Sequence, residues 1–198
     1  KLDVDFLAFS GHKMCGPSGT GVLYGKQHLL EVLNSFNIGG GAVLNSTHQS
    51  FELMPLPEKL ESGLQNYAGI LGLGAAVDYI KKIGFKNITA QELKLNQYIT
   101  QKIKDIDDRI KIIGPEDASQ RSGIIAMHCT ELAGRSAEIA VMLDKVADIA
   151  VRAGQFCVHS WFNKNEIKGA LRASFYFYNT IPEAEKFVEN LKKISKLY

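Results

Sequence analysis

The sequence predicts an α/β protein. Short apolar, strand-like runs are interleaved with amphipathic helical segments. Apolar residues recur at spacings of three and four from Tyr67 to Ile83, and two Thr-x-x-Glu signals mark helix starts. With 198 residues, 45% of them hydrophobic, the chain can bury a real core in one large or two small domains.

The first elements are a strand over Phe6–Phe9 and another over Gly21–Tyr24. Between them Ser10 to Thr20 is too rich in Gly and Pro for helix and reads as a loop. Leu2 to Phe9 enters the strand pattern almost at once, as though an earlier part of a domain precedes it, and such a sheet needs neighbours. A short helix is expected around His28 to Leu33. Loops are expected from Gly39-Gly40-Gly41 through Ser50 and on to Pro55 and Pro57. In the Tyr67–Ile83 helix, Ile70, Leu73, Val77 and Ile80 form the packing face, and Gly72, Gly74, Ala75 and Ala76 allow close approach.

Thr89 followed by Glu92 predicts the start of a long helix with Leu95, Ile99, Ile103 and Ile106 on one face, joining two domains. Beyond it come strands over Ile110–Ile113 and Gly123–Cys129, a helix over Ala137–Val146, and strands over Ile149–Arg152 and Leu171–Tyr178. Thr180 and Glu183 then cap a last helix whose face runs Phe187, Leu191, Ile194. Residues 1–88 and 89–198 are the expected domains, the second being a linker helix and a small α/β unit.

Lys+Arg 23 against Asp+Glu 21 gives a formal net charge of +2 without long like-charge runs, which argues against nucleic-acid and membrane-surface partners. Cys15, Cys129 and Cys157 are far apart and lack the CxxC spacing of zinc or redox sites, so a reducing cytoplasm fits. Cys15 and Cys129 read as structural. His28, His48 and His128 have no partners at metal-ligand spacing. No apolar run approaches the roughly 18 residues of a membrane span, and no signal-type pattern opens the chain.

Three residues carry candidate chemistry. Lys13 sits at a strand end between Ser10-Gly11-His12 and Gly16-Pro17-Ser18-Gly19, where a reactive amine can be held and a ligand approached. An imine-forming lysine needs desolvation or a neighbouring cation. The same composition fits a surface lysine in a Gly-rich turn, and spacing does not decide between them. Cys157 follows a strand in Arg152-Ala153-Gly154-Gln155-Phe156-Cys157. It reads either as a small buried hydrophobe or as a nucleophile whose thiolate Arg152 and His159 favour. In Leu171-Arg172-Ala173-Ser174, alternation sends Leu171 and Ala173 to one face and Arg172 to the other. There its guanidinium pairs with an acidic neighbour or fixes a substrate carboxylate through two parallel hydrogen bonds.

The segment Ser10-Gly11-His12-Lys13, with the Gly-Pro-x-Gly-x-Gly-x-Leu-Tyr pattern at Gly16 to Tyr24, resembles the cofactor-lysine segment of the class V aminotransferase family. The likeness is greatest to its cysteine desulfurase and selenocysteine lyase members, and covers essentially the whole chain. It implies the fold of the C-terminal part of a fold-type-I transferase, namely the end of the cofactor-binding large domain followed by a small C-terminal domain. It implies pyridoxal 5'-phosphate (PLP) on Lys13, with Ser10 and His12 contacting its phosphate.

Arg152-x-Gly154-x-x-Cys157 resembles the active-site loop of the branch serving iron–sulfur cluster assembly, which makes Cys157 the nucleophile that carries a persulfide. Arg172-x-Ser174 resembles the family's carboxylate-binding stretch. Arg172 and Arg152 are accordingly the substrate-binding candidates. Gln155 and Phe156 stand where that branch usually has two histidines. Leu64 and Gln65 replace the Thr and Pro of a turn that in the family reaches the partner subunit's cofactor phosphate.

The implied activity removes sulfur from L-cysteine to give L-alanine, with a sulfur-acceptor protein downstream and a homodimer as the assembly. The family's N-terminal half, with its pyridinium-pairing Asp and ring-stacking His, has no counterpart here. An isolated chain that is silent without that half is thus one expectation. Selenocysteine lyase, cysteine sulfinate lyase and epimerase activities are the other readings within the family.

Overall fold

The computed structural model describes residues 2–106, 109–129 and 134–197. It divides into two compact units, Lys1–Ile83 and Gly84–Tyr198.

In the first unit, β1 (Phe6–Ser10) and β2 (Gly21–Gly25) form an antiparallel ribbon with Phe6 opposite Gly25 and Ser10 opposite Gly21. Between them Gly11–Met14 makes a single 3-10 turn, where the Gly and Pro content predicts only loop. Both faces of the ribbon are apolar and exposed: Phe6 is 44% accessible and its neighbour Leu7 50%. This is the composition of strands covered on both sides.

Helix α1 spans Gln27–Val32. A second ribbon, β3 (Val43–Ser46) and β4 (Phe51–Leu53), replaces the expected loop. Strands of this length give too few alternations to register as a pattern. The Thr47 amide donating to the Ser50 carbonyl at 2.8 Å closes the turn between them. Helix α2 occupies Tyr67–Ile83, as the periodicity predicts. Ile80 is buried, but Ile70 is 52% accessible, so only part of the expected face packs.

The second unit opens with α3 (Phe85–Lys104), which begins before Thr89 and places that residue inside the helix. The Thr-x-x-Glu spacing there is ordinary helical spacing, and Glu92 is half-buried rather than capping, with burial pushing its carboxyl up. Next come β5 (Ile110–Ile113), β6 (Ile124–Cys129), α4 (Ser136–Ala147), β7 (Arg152–Gly154), α5 (His159–Lys164), β8 (Ala170–Ser174) and α6 (Ile181–Ser195). Helix α5 stands where a loop is predicted. β7 starts later than expected, at Arg152, and β8 stops at Ser174 because the Tyr176 amide donates to Asn179 Oδ1 at 2.9 Å and turns the chain.

The sheet order is β5-β6-β8-β7, antiparallel throughout. One face carries the core. Ile125 and Met127 of β6 and Leu171 and Ala173 of β8 pack with Leu95, Ile99 and Ile103 of α3, Leu143 of α4 and Phe187 and Leu191 of α6. Burying each large side chain is worth about 1.5–3 kcal/mol.

The Thr180 cap forms as predicted: the Glu183 amide donates to Thr180 Oγ1 at 3.4 Å, and the Thr180 amide donates to Glu183 Oε2 at 2.7 Å. Those bonds to Thr180 hold the Glu183 carboxyl below its ordinary range. Its contribution is therefore complete above the unfolded-state pKa and is lost as pH falls through the lower folded value. Thr180→Ala should cost about 1 kcal/mol in urea unfolding. The deficit of Glu183→Gln against wild type should be largest near neutrality and should shrink as pH falls below the carboxylate range.

Candidate active site

The candidate residues form two groups, one in each unit. In the first unit, Lys13 and His12 lie on the 3-10 turn, both exposed, and Ser10 is half-buried at the end of β1. The loop is closed by its own backbone. The Gly11 amide donates to the Thr20 carbonyl and the Gly16 amide to the Gly11 carbonyl, each at 2.9 Å, and Thr20 Oγ1 donates to the Pro17 carbonyl at 2.7 Å.

It rests on α2 through glycines. A Cβ on Gly72 would lie 2.6 Å from Pro17 Cγ, and one on Gly69 would lie 2.6 Å from Thr20 Cγ2. The close approach expected of α2 is thus made at Gly72 and Gly69, while Gly74 faces open space. Among the described residues nothing pairs with Lys13 Nζ. A hydroxyl at the strand end and an imidazole and an amine on the turn that follows it are the donor set that an aldehyde cofactor bearing a phosphate requires, so the residues fit PLP. The described residues leave Lys13 exposed, and they do not supply the burial that an imine-forming lysine needs.

Cys15 is read from the sequence as structural, and the structure leaves its side chain exposed. The residue caps the 3-10 turn at φ 64°. The side chain of Cys129, the other cysteine expected to be structural, lies outside the described residues. His128 is partly buried, and that burial pushes its imidazole pKa down. No group of three potential metal ligands occurs among the described residues.

In the second unit the sheet face opposite the core carries Arg172. β8 buries Leu171 and Ala173, leaving Arg172 on the other side, where the register sets Ala126 of β6 against it on one flank and Arg152 of β7 on the other. Like charges directly opposite in a ladder repel. Arg172 Nε is nevertheless buried without a hydrogen-bond partner. Two arginines in register and an unsatisfied buried N–H are a donor set whose chemistry suits an anion.

Cys157 is exposed on the turn that follows β7. The Val158 amide donates to the Gln155 carbonyl at 2.9 Å, and the two central residues, Phe156 and Cys157, have φ of 52° and 63°. Each L-residue in that region costs about 1–2 kcal/mol. Phe156 lies over Arg172, whose Cζ is 5.1 Å from the ring centroid. In the sequence Phe156 reads only as a replacement for a histidine. Its contact with a residue on another strand leaves no local signal.

The aminotransferase class-V family model matches residues 1–187. The chain belongs to the class V aminotransferase family. A probable cysteine desulfurase of Streptomyces coelicolor is 37% identical over 197 residues, covering 100% of this chain and 46% of the relative. A cysteine desulfurase of Haloferax volcanii is 34% identical, covering 100% and 45%. Among solved structures, apo cysteine desulfurase from Thermococcus onnurineus NA1 superposes with a TM-score of 0.90 at 33% identity over 100% of this chain and 48% of that one. Escherichia coli CsdA, as the S-sulfonic acid, superposes at 0.86 and 30% identity over 99% and 47%. The chain spans about half the length of the curated relatives it matches. The α/β fold is that of these desulfurase structures.

Two outcomes test the local geometry. Gly-to-Ala in a helix ordinarily gains about 1 kcal/mol, but Gly72→Ala should lose about 1–3 kcal/mol in thermal unfolding because the new methyl meets the Pro17 ring. Cys157→Gly should unfold at higher urea than Cys157→Ala, by about 1 kcal/mol, since glycine alone adopts the positive φ freely.

Proposed function

We propose that the protein carrying this chain is a PLP-dependent cysteine desulfurase that converts L-cysteine to L-alanine and leaves the sulfur as a persulfide on Cys157. The observation that carries the reading is a pair of arginines in register on paired strands, next to the turn that bears an exposed cysteine. Arg172 and Arg152 face the same side of the sheet, with Nε of Arg172 unsatisfied, and the turn stacked on Arg172 exposes Cys157. Family membership and the desulfurase relatives support it.

PLP, held by Lys13 with Ser10 and His12 at its phosphate, supplies an electron sink when bound. The chain's own residues do the rest. Arg172 and Arg152 grip the α-carboxylate of cysteine, fixing the amino acid for attack. The Lys13 amine takes the proton from Cα and returns one to the carbon side of the product. The Cys157 thiolate attacks the substrate sulfur: the new S–S bond forms as the Cβ–S bond breaks, and its electron pair goes to the carbon skeleton, which leaves as alanine. Exposure of Cys157 then allows transfer of the outer sulfur to an acceptor protein, and iron–sulfur cluster assembly is the use this reading assigns to it.

Residues 1–88 are read as the end of the PLP-binding domain and residues 89–198 as the linker helix and small domain, with a homodimer as the assembly. The ribbon with both apolar faces exposed, in a chain half the length of its relatives, supports the N-terminal half of the enzyme as a further partner. A cytoplasmic site of action accords with free, exposed Cys15 and Cys157. Among the described residues no helix is long and apolar enough to cross a membrane. The net charge of +2 gives no footprint for nucleic acid.

In the PLP-loaded full-length protein, Cys157→Ala should lower alanine release from L-cysteine roughly a hundredfold or more. Lys13→Ala should abolish the visible absorbance that stays with the protein once unbound PLP is removed. Undiminished turnover in Cys157→Ala would remove the nucleophile and move the activity to a lyase that does without one.

A further inference from the structure

The residue before the thiol contacts the arginine expected to hold the substrate. The Phe156 ring meets Phe162 edge-on, with centroids 5.6 Å apart and planes at 78°. Phe162 is 2% accessible and is itself braced by Trp161 at 5.2 Å, so the Phe156 ring is anchored from behind. Its other contact is Arg172, with Cζ 5.1 Å from the centroid. An arginine side chain has several free rotors, and no carboxylate among the described residues pins this one. Across the ladder stands a second arginine, which repels it. The aromatic ring is therefore the element that attracts the guanidinium and restricts where it lies.

We propose that Phe156 is a positioning residue of the carboxylate site, its ring holding the Arg172 guanidinium ready for a substrate carboxylate. This rests on the desulfurase reading above. Phe156 acts through Arg172 and on binding, so its removal weakens capture of the amino acid more than it slows sulfur transfer. A ring is what matters, because an aliphatic side chain of similar bulk fills the same space without attracting a cation.

The test uses the PLP-loaded full-length protein with Phe156→Leu, Phe156→Tyr and Arg172→Ala. Three quantities are read: KM and kcat for L-cysteine, and the calorimetric Kd of L-alanine, which has the carboxylate but no sulfur to transfer. Phe156→Leu should raise both KM and the alanine Kd about three- to tenfold, with kcat within about twofold, and Phe156→Tyr should stay within about twofold throughout.

The inference is overturned if Phe156→Leu leaves KM and Kd unchanged, if the tyrosine variant is as impaired as the leucine one, or if kcat alone falls. Should Phe156→Leu fail to fold, Phe156→Met gives the same reading. An Arg172→Ala variant that binds alanine as well as wild type overturns the carboxylate site itself. If Arg172→Ala loses alanine and Phe156→Leu does not, only the role of Phe156 falls.

Discussion

Packing of β8 against the helices fixes where the chemistry on this strand can be. Leu171 and Ala173 are drawn into the core with Leu95, Leu143 and Phe187, and a strand that buries alternate residues must turn the one between them outward. Arg172 is that residue. The same register sets Arg152 opposite it, and because β7 is only Arg152–Gly154 the chain turns within a few residues and lays Phe156 over Arg172, with Cys157 the next residue in the chain. The hydrophobic core thus determines which side of the sheet carries charge and where the thiol is presented.

The first unit reaches the equivalent result by different means. Lys13 has no sheet face to orient it. It rides on a turn whose hydrogen bonds close the loop upon itself, and the loop lies on a helix stripped of side chains at Gly69 and Gly72. The loop seats here through the Pro17 and Thr20 side chains against bare helix backbone, which is why small residues and one proline matter more than apolar bulk. The cost is that Lys13 itself stands in the open.

Much of this could be read from the amino-acid order, and the exceptions have physical causes. Helix α2, α4 and the Thr180 cap follow the pattern because periodicity and capping are local properties. Helix α3 begins earlier than Thr89 because a capping signal and an ordinary helical spacing look alike in sequence. The β3–β4 ribbon is too short for alternation to show, and helix α5 is held largely by one buried ring, Phe162, rather than by a periodic stripe. The motif residues Lys13, Cys157 and Arg172 are visible as a resemblance, since they depend on spacing along the chain. The stacking of Phe156 on Arg172 joins a turn to a neighbouring strand, and only three-dimensional register brings them together.

The β1–β2 ribbon has a consequence for how this polypeptide behaves in a test tube. Two strands leave two unsatisfied hydrogen-bonding edges, and here those edges run beside Phe6, Leu7, Phe9, Val22, Leu23 and Tyr24, all accessible to water. Such a surface recruits further strands. Left by itself in concentrated solution, the polypeptide would self-associate along these edges, and its colloidal behaviour would depend on whether a covering layer is supplied as it folds.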